Sequence, residues 1–293
     1  MDTQSIHQHF KLENIFNVKG KVALVTGGGS GIGLMSTLAL AVNGSKVYIT
    51  GRSQEKLDRV VNEFSEGISG EIIPITADVT NKESIDRLAK EIASREPHLS
   101  ILINNAGINS HKENVDLEDA TDLRKSLFED PAASMEEWET VFRTNVAHLF
   151  FTTTAFLPLL EKGTEHEHNW SSTVINISSI SGIVKASQAH FAYNASKAAA
   201  IHLTKMLAHE ITSSKLKIRV NNIAPGVFPS EMTTRDSSEK TTVPKRKYEN
   251  LPAGRPGKDE EMASALLFTA TNQYLNGQTI VVDGGYVLST GTI

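Results

Sequence analysis

Five residues, Tyr193-Asn-Ala-Ser-Lys197, put a phenol and an ammonium four positions apart. On a helix that spacing stacks both side chains on one face. A phenol with its ordinary pKa of about 10 is a poor proton donor near neutral pH. A neighbouring positive charge favours the phenolate and lowers that value. The pair is therefore suited to give a proton to a carbonyl oxygen, or to take one from an alcohol. The spacing alone is weak evidence: with ordinary residue usage it arises by chance in roughly one chain of this length in two.

Support comes from the start of the chain. Lys21-Val-Ala-Leu-Val-Thr26 reads as a buried strand, followed at once by Gly27-Gly-Gly-Ser30-Gly31-Ile32-Gly33 and an apolar-periodic helix to about Val42. Strand, glycine turn and helix are the context in which backbone amides approach a pyrophosphate at a helix N-terminus. Gly27, Ser30, Gly31, Ile32 and Gly33 are the cofactor-binding candidates here. After the second strand, Lys46–Thr50, an NAD-binding fold usually carries Asp or Glu for the ribose 2′-hydroxyl. This chain has Gly51 and Arg52 instead. An arginine in place of that carboxylate suits a 2′-phosphate, with Ser53 as a helper; the plainer reading of Arg52 is a solvated side chain opening the helix Gln54–Phe64. NADP(H) is the expected cofactor.

The spacing Thr-Gly-x-x-x-Gly-x-Gly departs from the six-residue dinucleotide signature. Together with Tyr193 and Lys197 it resembles the single-domain short-chain dehydrogenase/reductase family, and the resemblance runs over about residues 19 to 287. It implies Asp78 and Val79 beside the adenine, and Asn104-Asn105-Ala106-Gly107 beside the cofactor at the end of the fourth strand. Pro225, Gly226, Val227 and Ser230 correspond to the loop that holds the nicotinamide amide, and Asp283-Gly-Gly285 to a common ending. By the same resemblance Tyr193 protonates the forming alkoxide, and Lys197 lowers its pKa and holds the nicotinamide ribose. Ser179, with Ser178 and Ser181 close by, hydrogen-bonds the substrate oxygen, and Asn145 positions a relay water.

These residues need a scaffold, and strands alternate with helices along the whole chain, which implies an α/β sandwich on a parallel sheet. The resemblance implies a doubly wound, Rossmann-like sheet of seven strands in the order 3-2-1-4-5-6-7, between two helical layers. Residues 1 to about 18 read as an N-terminal arm before a single domain spanning 19 to 293. Pro74 suggests that the third strand lies at an edge. Asn81 and Ser134 read as helix caps, Ser134 with Glu137 as a capping box. The Ser134 helix is expected to run through Asn145 towards Leu160, interrupted or bent near Pro158. His166 and His168 fall in an expected charged loop. Residues 108 to 133 form a polar insertion, readable as a wall at the site's mouth or as decoration. Residues from about 227 to 250 have the composition of a substrate lid, in which Val227, Phe228, Met232 and Val243 favour an apolar substrate and Lys245-Arg-Lys247 is either an anion contact or a solvated basic run.

Composition narrows the function. The chain of 293 residues has a net charge of −5, which leaves no footprint for nucleic acid or an anionic membrane. It has no cysteine, which excludes thiolate nucleophiles and Cys-ligated zinc, and no metal is expected. The N-terminal residues lack an apolar signal core and no apolar run approaches spanning length, so a cytoplasmic location is expected. Helical stretches 138–156 and 191–211 carry more apolar and small residues than one buried stripe needs, so a homo-oligomer, tetramer or dimer, is expected. The reading is an NADPH-dependent ketoreductase acting on a small-molecule ketone, ketoester or ketoacyl group, resembling ketoacyl and rhamnolipid-type reductases. The alternatives are an NADP-linked alcohol or sugar dehydrogenase working oxidatively, and a cofactor-sensing non-enzyme on the same fold.

Overall fold

The computed structural model describes residues 3–230, 232, 245, 248–249 and 251–292. Most of the expected lid, including Val243 and the Arg246-Lys247 part of the basic run, lies outside the described residues.

Seven parallel strands form one sheet: β1 (Val22–Thr26), β2 (Lys46–Gly51), β3 (Glu71–Thr76), β4 (Ile101–Asn104), β5 (Thr173–Ile177), β6 (Arg219–Pro225) and β7 (Thr279–Val282). Their order is 3-2-1-4-5-6-7, as the resemblance implied. β3 is an edge strand, where Pro74 removes no ladder bond that the sheet needs. β1, β4 and β5 are buried at every position because helices cover both faces.

Side-chain alternation sorts the core into two layers. Ala23, Val25, Val47, Ile49, Ile103 and Ile175 meet α3 (Gly31–Val42), α4 (Gln54–Phe64) and α10 (Asp259–Thr271) on one face. Val22, Leu24, Tyr48, Leu102 and Val174 meet α5 (Lys82–Arg95), α8 (His148–His166) and α9 (Phe191–Ser213) on the other. The arm forms two short helices, α1 (Thr3–His9) and α2 (Leu12–Ile15), and ends at Val18, which is itself core. Among the described residues no helix is long and apolar enough to cross a membrane.

Three local expectations change. No interruption falls at Pro158: α8 runs through it, with Phe156, Leu159 and Leu160 buried around the proline. The interruption falls earlier, where α7 (Met135–Phe142) passes into a π-helical turn, Arg143–Ala147, that carries Asn145. The expected loop at His166 is instead the end of α8, and its ring stacks on His98 with centroids 4.2 Å apart. Among the described residues no group of three or more His, Asp or Glu side chains could hold a metal. Within the insertion, α6 (Ala120–Arg124) is capped by Asp119 and continues as a wide turn, Lys125–Glu129.

Candidate active site

β1 sits between β2 and β4, so the crevice at the carboxyl ends of β1 and β4 is the switch point of the sheet, where ligands of such folds bind. Polar bonds sew its walls together. Thr26 Oγ1 accepts from the amides of Asn105 and Ala106, at 3.0 and 3.1 Å. Asn105 Nδ2 donates to the carbonyls of Thr26 and Gly27, at 3.0 and 3.2 Å. The chain then enters α3 at a contact only glycine permits: a Cβ on Gly33 would lie 2.0 Å from Gly27 O. Ser30 precedes α3 without capping it, which leaves the first-turn amides open to an anion. Ser230 lies over Gly31, where a Cβ would meet Ser230 Cβ at 2.9 Å; Ile32 packs against the core beneath. This narrow, amide-lined cradle fits a dinucleotide.

Arg52 is exposed just beyond β2. Its charge reaches Asp78, whose carboxylate accepts from Thr80 N and Thr80 Oγ1 at 2.9 and 2.7 Å. Burial alone would push the Asp78 carboxyl up; the Thr80 bonds and Arg52 outweigh it and hold the carboxyl below its ordinary range. Val79 is buried beside it. Ser53 Oγ caps α4 by accepting from Lys56 N, which leaves its proton for a ligand.

At the other end of the crevice α9 delivers Tyr193 and Lys197 on one face. Lys197 is buried, with Nζ 5.6 Å from the Tyr193 ring centroid and donating to Ile177 O at 3.1 Å. Burial lowers its pKa to about 8. The Tyr193 phenol is pushed up by burial, and the opposing pull comes from a hydrogen bond with Ser179. The ammonium thus sits beside the phenol ring while anchored to a backbone carbonyl, and Ser179 holds the phenol hydroxyl. Asn145 Oδ1 and Lys197 Nζ both flank Gly107, at 3.2 and 3.5 Å from where its Cβ would be. Asn145 accepts from Ile108 N and donates to Ile108 O, both at 2.9 Å, and donates to Ser196 Oγ at 3.0 Å.

The three candidate serines separate by their partners. Ser178 Oγ accepts from Asn222 Nδ2 at 2.7 Å inside the sheet, and Ser181 Oγ donates to Gln188 Oε1 at 2.7 Å. Ser179 is the one against Tyr193. Pro225 ends β6, and Gly226 N donates to Val282 O at 2.8 Å. Val227 O accepts from Gly257 N at 2.9 Å. Phe228, expected in the lid, is core: it is 3 % exposed, and its ring fills the space above Gly257.

Sequence reasoning missed three features. Thr50, Thr26, Asn104, Asn176 and Asn222 stand in register across five strands, each fully buried. Asn104 donates to Asn176 and Thr153, and Asn176 to Thr204, so this row ties the sheet to α8 and α9 directly beneath the site. The signal was there, since each of these strands carries a Thr or Asn within its last four residues. His148 is buried near Lys197 and held neutral, its pKa lowered by burial to about 4. The insertion is stitched to the segment before Tyr193: Glu113 N donates to Ala189 O at 3.0 Å, and the His190 ring lies 3.1 Å from His111 O. A cavity of about 770 Å³ between the arm, Val42–Gly44 and α10 contains none of these residues.

The family model described as short chain dehydrogenase matches residues 21–241. The chain belongs to the short-chain dehydrogenase/reductase family. It is 40% identical to the short-chain dehydrogenase/reductase PhomF of Diaporthe leptostromiformis, over 93% of both chains. It is 34% identical to the rhamnolipids biosynthesis 3-oxoacyl-(acyl-carrier-protein) reductase of Pseudomonas aeruginosa, over 93% of this chain and 98% of that one. Among solved structures it superimposes on the Pseudomonas aeruginosa RhlG/NADP active-site complex with a TM-score of 0.78 at 32% identity, covering 93% of this chain and 98% of that one. A short-chain dehydrogenase/reductase of this kind is an oxidoreductase, and its substrate is a small molecule.

Proposed function

We propose that the chain is an NADPH-dependent ketoreductase that reduces an apolar ketone, ketoester or ketoacyl group. The observation that carries this reading is the meeting of Ser179, Tyr193 and Lys197 at the carboxyl end of β5. When bound, the reduced nicotinamide supplies a hydride to the carbonyl carbon. Ser179 and Tyr193 hold the carbonyl oxygen between two hydroxyls, and the Tyr193 proton passes to that oxygen as the alcohol forms. Lys197 keeps a positive charge beside the phenolate left behind, and solvent returns the proton. The glycine turn, with Asn105, Ala106 and Gly107, holds the cofactor; Pro225, Gly226, Val227 and Ser230 close over its nicotinamide end.

The preference for NADPH rests on Arg52 standing where a ribose-binding carboxylate would otherwise be. The NADP complex among the similar structures is consistent with it. Likeness to a 3-oxoacyl reductase supports reduction next to an acyl chain. The acidic insertion, with Asp116, Glu118 and Asp119 exposed, disfavours an anionic carrier at the mouth and favours a free substrate.

The test is turnover by purified protein with NADPH or NADH across matched ketones, ketoesters and polyols, for wild type and Tyr193→Phe. NADPH oxidation by an apolar ketone is expected, and Tyr193→Phe should bind NADPH normally while losing about 10²-fold or more in rate. Higher efficiency in polyol oxidation would favour the oxidative dehydrogenase. A phenylalanine variant that keeps more than about a tenth of the rate would remove Tyr193 from the mechanism.

A further inference from the structure

Two consecutive non-glycine residues between Ser179 and Tyr193, Gln188 and Ala189, hold φ angles of 52° and 62°. Side-chain-bearing residues keep that left-handed region only where their surroundings over-determine it. Ala189 is fixed through its carbonyl by Glu113 N, and Asn194 Nδ2 donates to the carbonyls of Ala186 and Ser187 at 3.0 and 2.9 Å. Gln188 is fixed through its side chain. Its Oε1 accepts from Ser181 Oγ at 2.7 Å, and its Nε2 donates to the Tyr286 hydroxyl at 2.8 Å. A planar amide held at both ends transmits the position of one partner to the other.

Ser181 leads to Ser179. It lies in the one-turn helix Ile180–Gly182, and its amide donates to Ser179 Oγ at 3.1 Å. Tyr286 leads the other way, into the last turns of the chain. It opens the short helix α11 (Tyr286–Thr290), which Asp283 secures by accepting from Gly285 N and Val287 N at 2.9 and 2.7 Å. Asp283 packs directly on Gly226, where a Cβ would lie 2.6 Å from Asp283 Cα. Beyond α11, Thr292 pairs with Val184 in an isolated antiparallel bridge, a second contact with the same loop. Residues 283–292 thus touch both the nicotinamide-side loop and the serine loop.

We propose that Gln188 and Tyr286 are positioning residues which, through Ser181, aim the Ser179 hydroxyl at the substrate oxygen and Tyr193. This rests on the reading of Ser179 given above. A serine hydroxyl turns freely about χ1, and the one-turn helix around it is too short to be rigid alone. The Ser181–Gln188–Tyr286 chain braces that turn against the C-terminal segment, 98 residues along from Gln188. The end of the chain is thereby part of the catalytic apparatus without touching substrate.

The experiment places Tyr286→Phe and Gln188→Ala in the wild-type and Ser179→Ala backgrounds and measures steady-state reduction of a small ketone with NADPH, together with NADPH binding by fluorescence. In the wild-type background each substitution should lower kcat by about three- to tenfold, as one lost neutral hydrogen bond would. KM for the ketone and NADPH affinity should change by less than about twofold. With Ser179→Ala already present, neither should lower kcat further, because the group they aim is gone. The same loss in both backgrounds, as general loosening of the fold would give, overturns the proposal, as does no loss in wild type. If Ser179→Ala alone leaves kcat unchanged, the serine assignment fails and this inference with it, while the Tyr193→Phe result still judges the reductase reading separately.

Discussion

Lys197 is 4 % exposed, and burial brings its pKa down to about 8. The Tyr193 phenol moves the opposite way, because burial outweighs its bond with Ser179. As pH rises, the first of the two to change state is therefore the lysine. Below about pH 8 the ammonium is charged and, in the proposed mechanism, would stabilise the phenolate formed during reduction; above it that charge is lost while the phenol keeps its proton. The value of kcat/KM for NADPH, which reports the free enzyme, should be level around neutrality and fall on passing about pH 8. A profile level to about pH 10 would show that the Lys197 charge is not needed. His148 does not contribute to this limb: its proton is lost near pH 4, with Nδ1–H donating to the Thr144 carbonyl.

The element that places Asn145 is the π-helical turn Arg143–Ala147. A wide turn spends an extra residue without advancing the helix, and such turns collect at functional sites. Here it presents the Asn145 amide to both backbone groups of Ile108 and to Ser196, which ties α8, α9 and the end of β4 together. Asn145→Ala would leave the Ile108 amide and carbonyl unpaired, and should cost about 1–3 kcal/mol in stability. Because Ile108 follows Gly107 at the cofactor crevice, kcat should fall with it, by about tenfold or more. Thermal unfolding and steady-state rates check both; an Asn145→Ala protein with wild-type Tm and kcat would show that the turn is held by other contacts. The element level also marks where sequence reading stopped. Strand ends, glycine turn, helix caps at Asn81 and Ser134, and the Tyr-Lys face were readable because each depends on residues within a few positions. The capping box at Ser134 forms only by half. Ser134 accepts from Glu137 N, but the Glu137 carboxylate instead takes the His111 amide at 2.7 Å, a partner from the insertion. The separation of Ser178, Ser179 and Ser181 depends on Asn222, Tyr193 and Gln188. The π turn depends on Ile108, and the folded insertion on the loop before Tyr193. Those partners are set by tertiary packing and leave no local pattern.

At the scale of the whole molecule, the covered and uncovered surfaces differ. The two core layers are closed, yet α7, α8 and the face of α9 away from the sheet leave large apolar side chains in the open. Trp138 is 38 % exposed, Phe150 43 %, Phe151 37 %, Phe191 38 % and Met206 51 %. Trp138 stacks on Phe142, and Phe150 packs edge-on against Phe151, so these rings form patches and not isolated side chains. A monomer seldom leaves contiguous apolar surface of this kind in water, where covering it gains about 25 cal/mol per Å². α9 also carries Tyr193 and Lys197, and a partner packed on its outer face would stiffen the helix that aims them. We expect a homo-oligomer, with the outer faces of α7, α8 and α9 buried between copies. Sedimentation at micromolar concentration should show a dimer or tetramer, and Phe150→Glu with Phe151→Glu should shift it towards monomer and lower kcat. A wild-type protein that sediments only as monomer would mean that these rings face solvent, and that the catalytic helix needs no support beyond its own sheet.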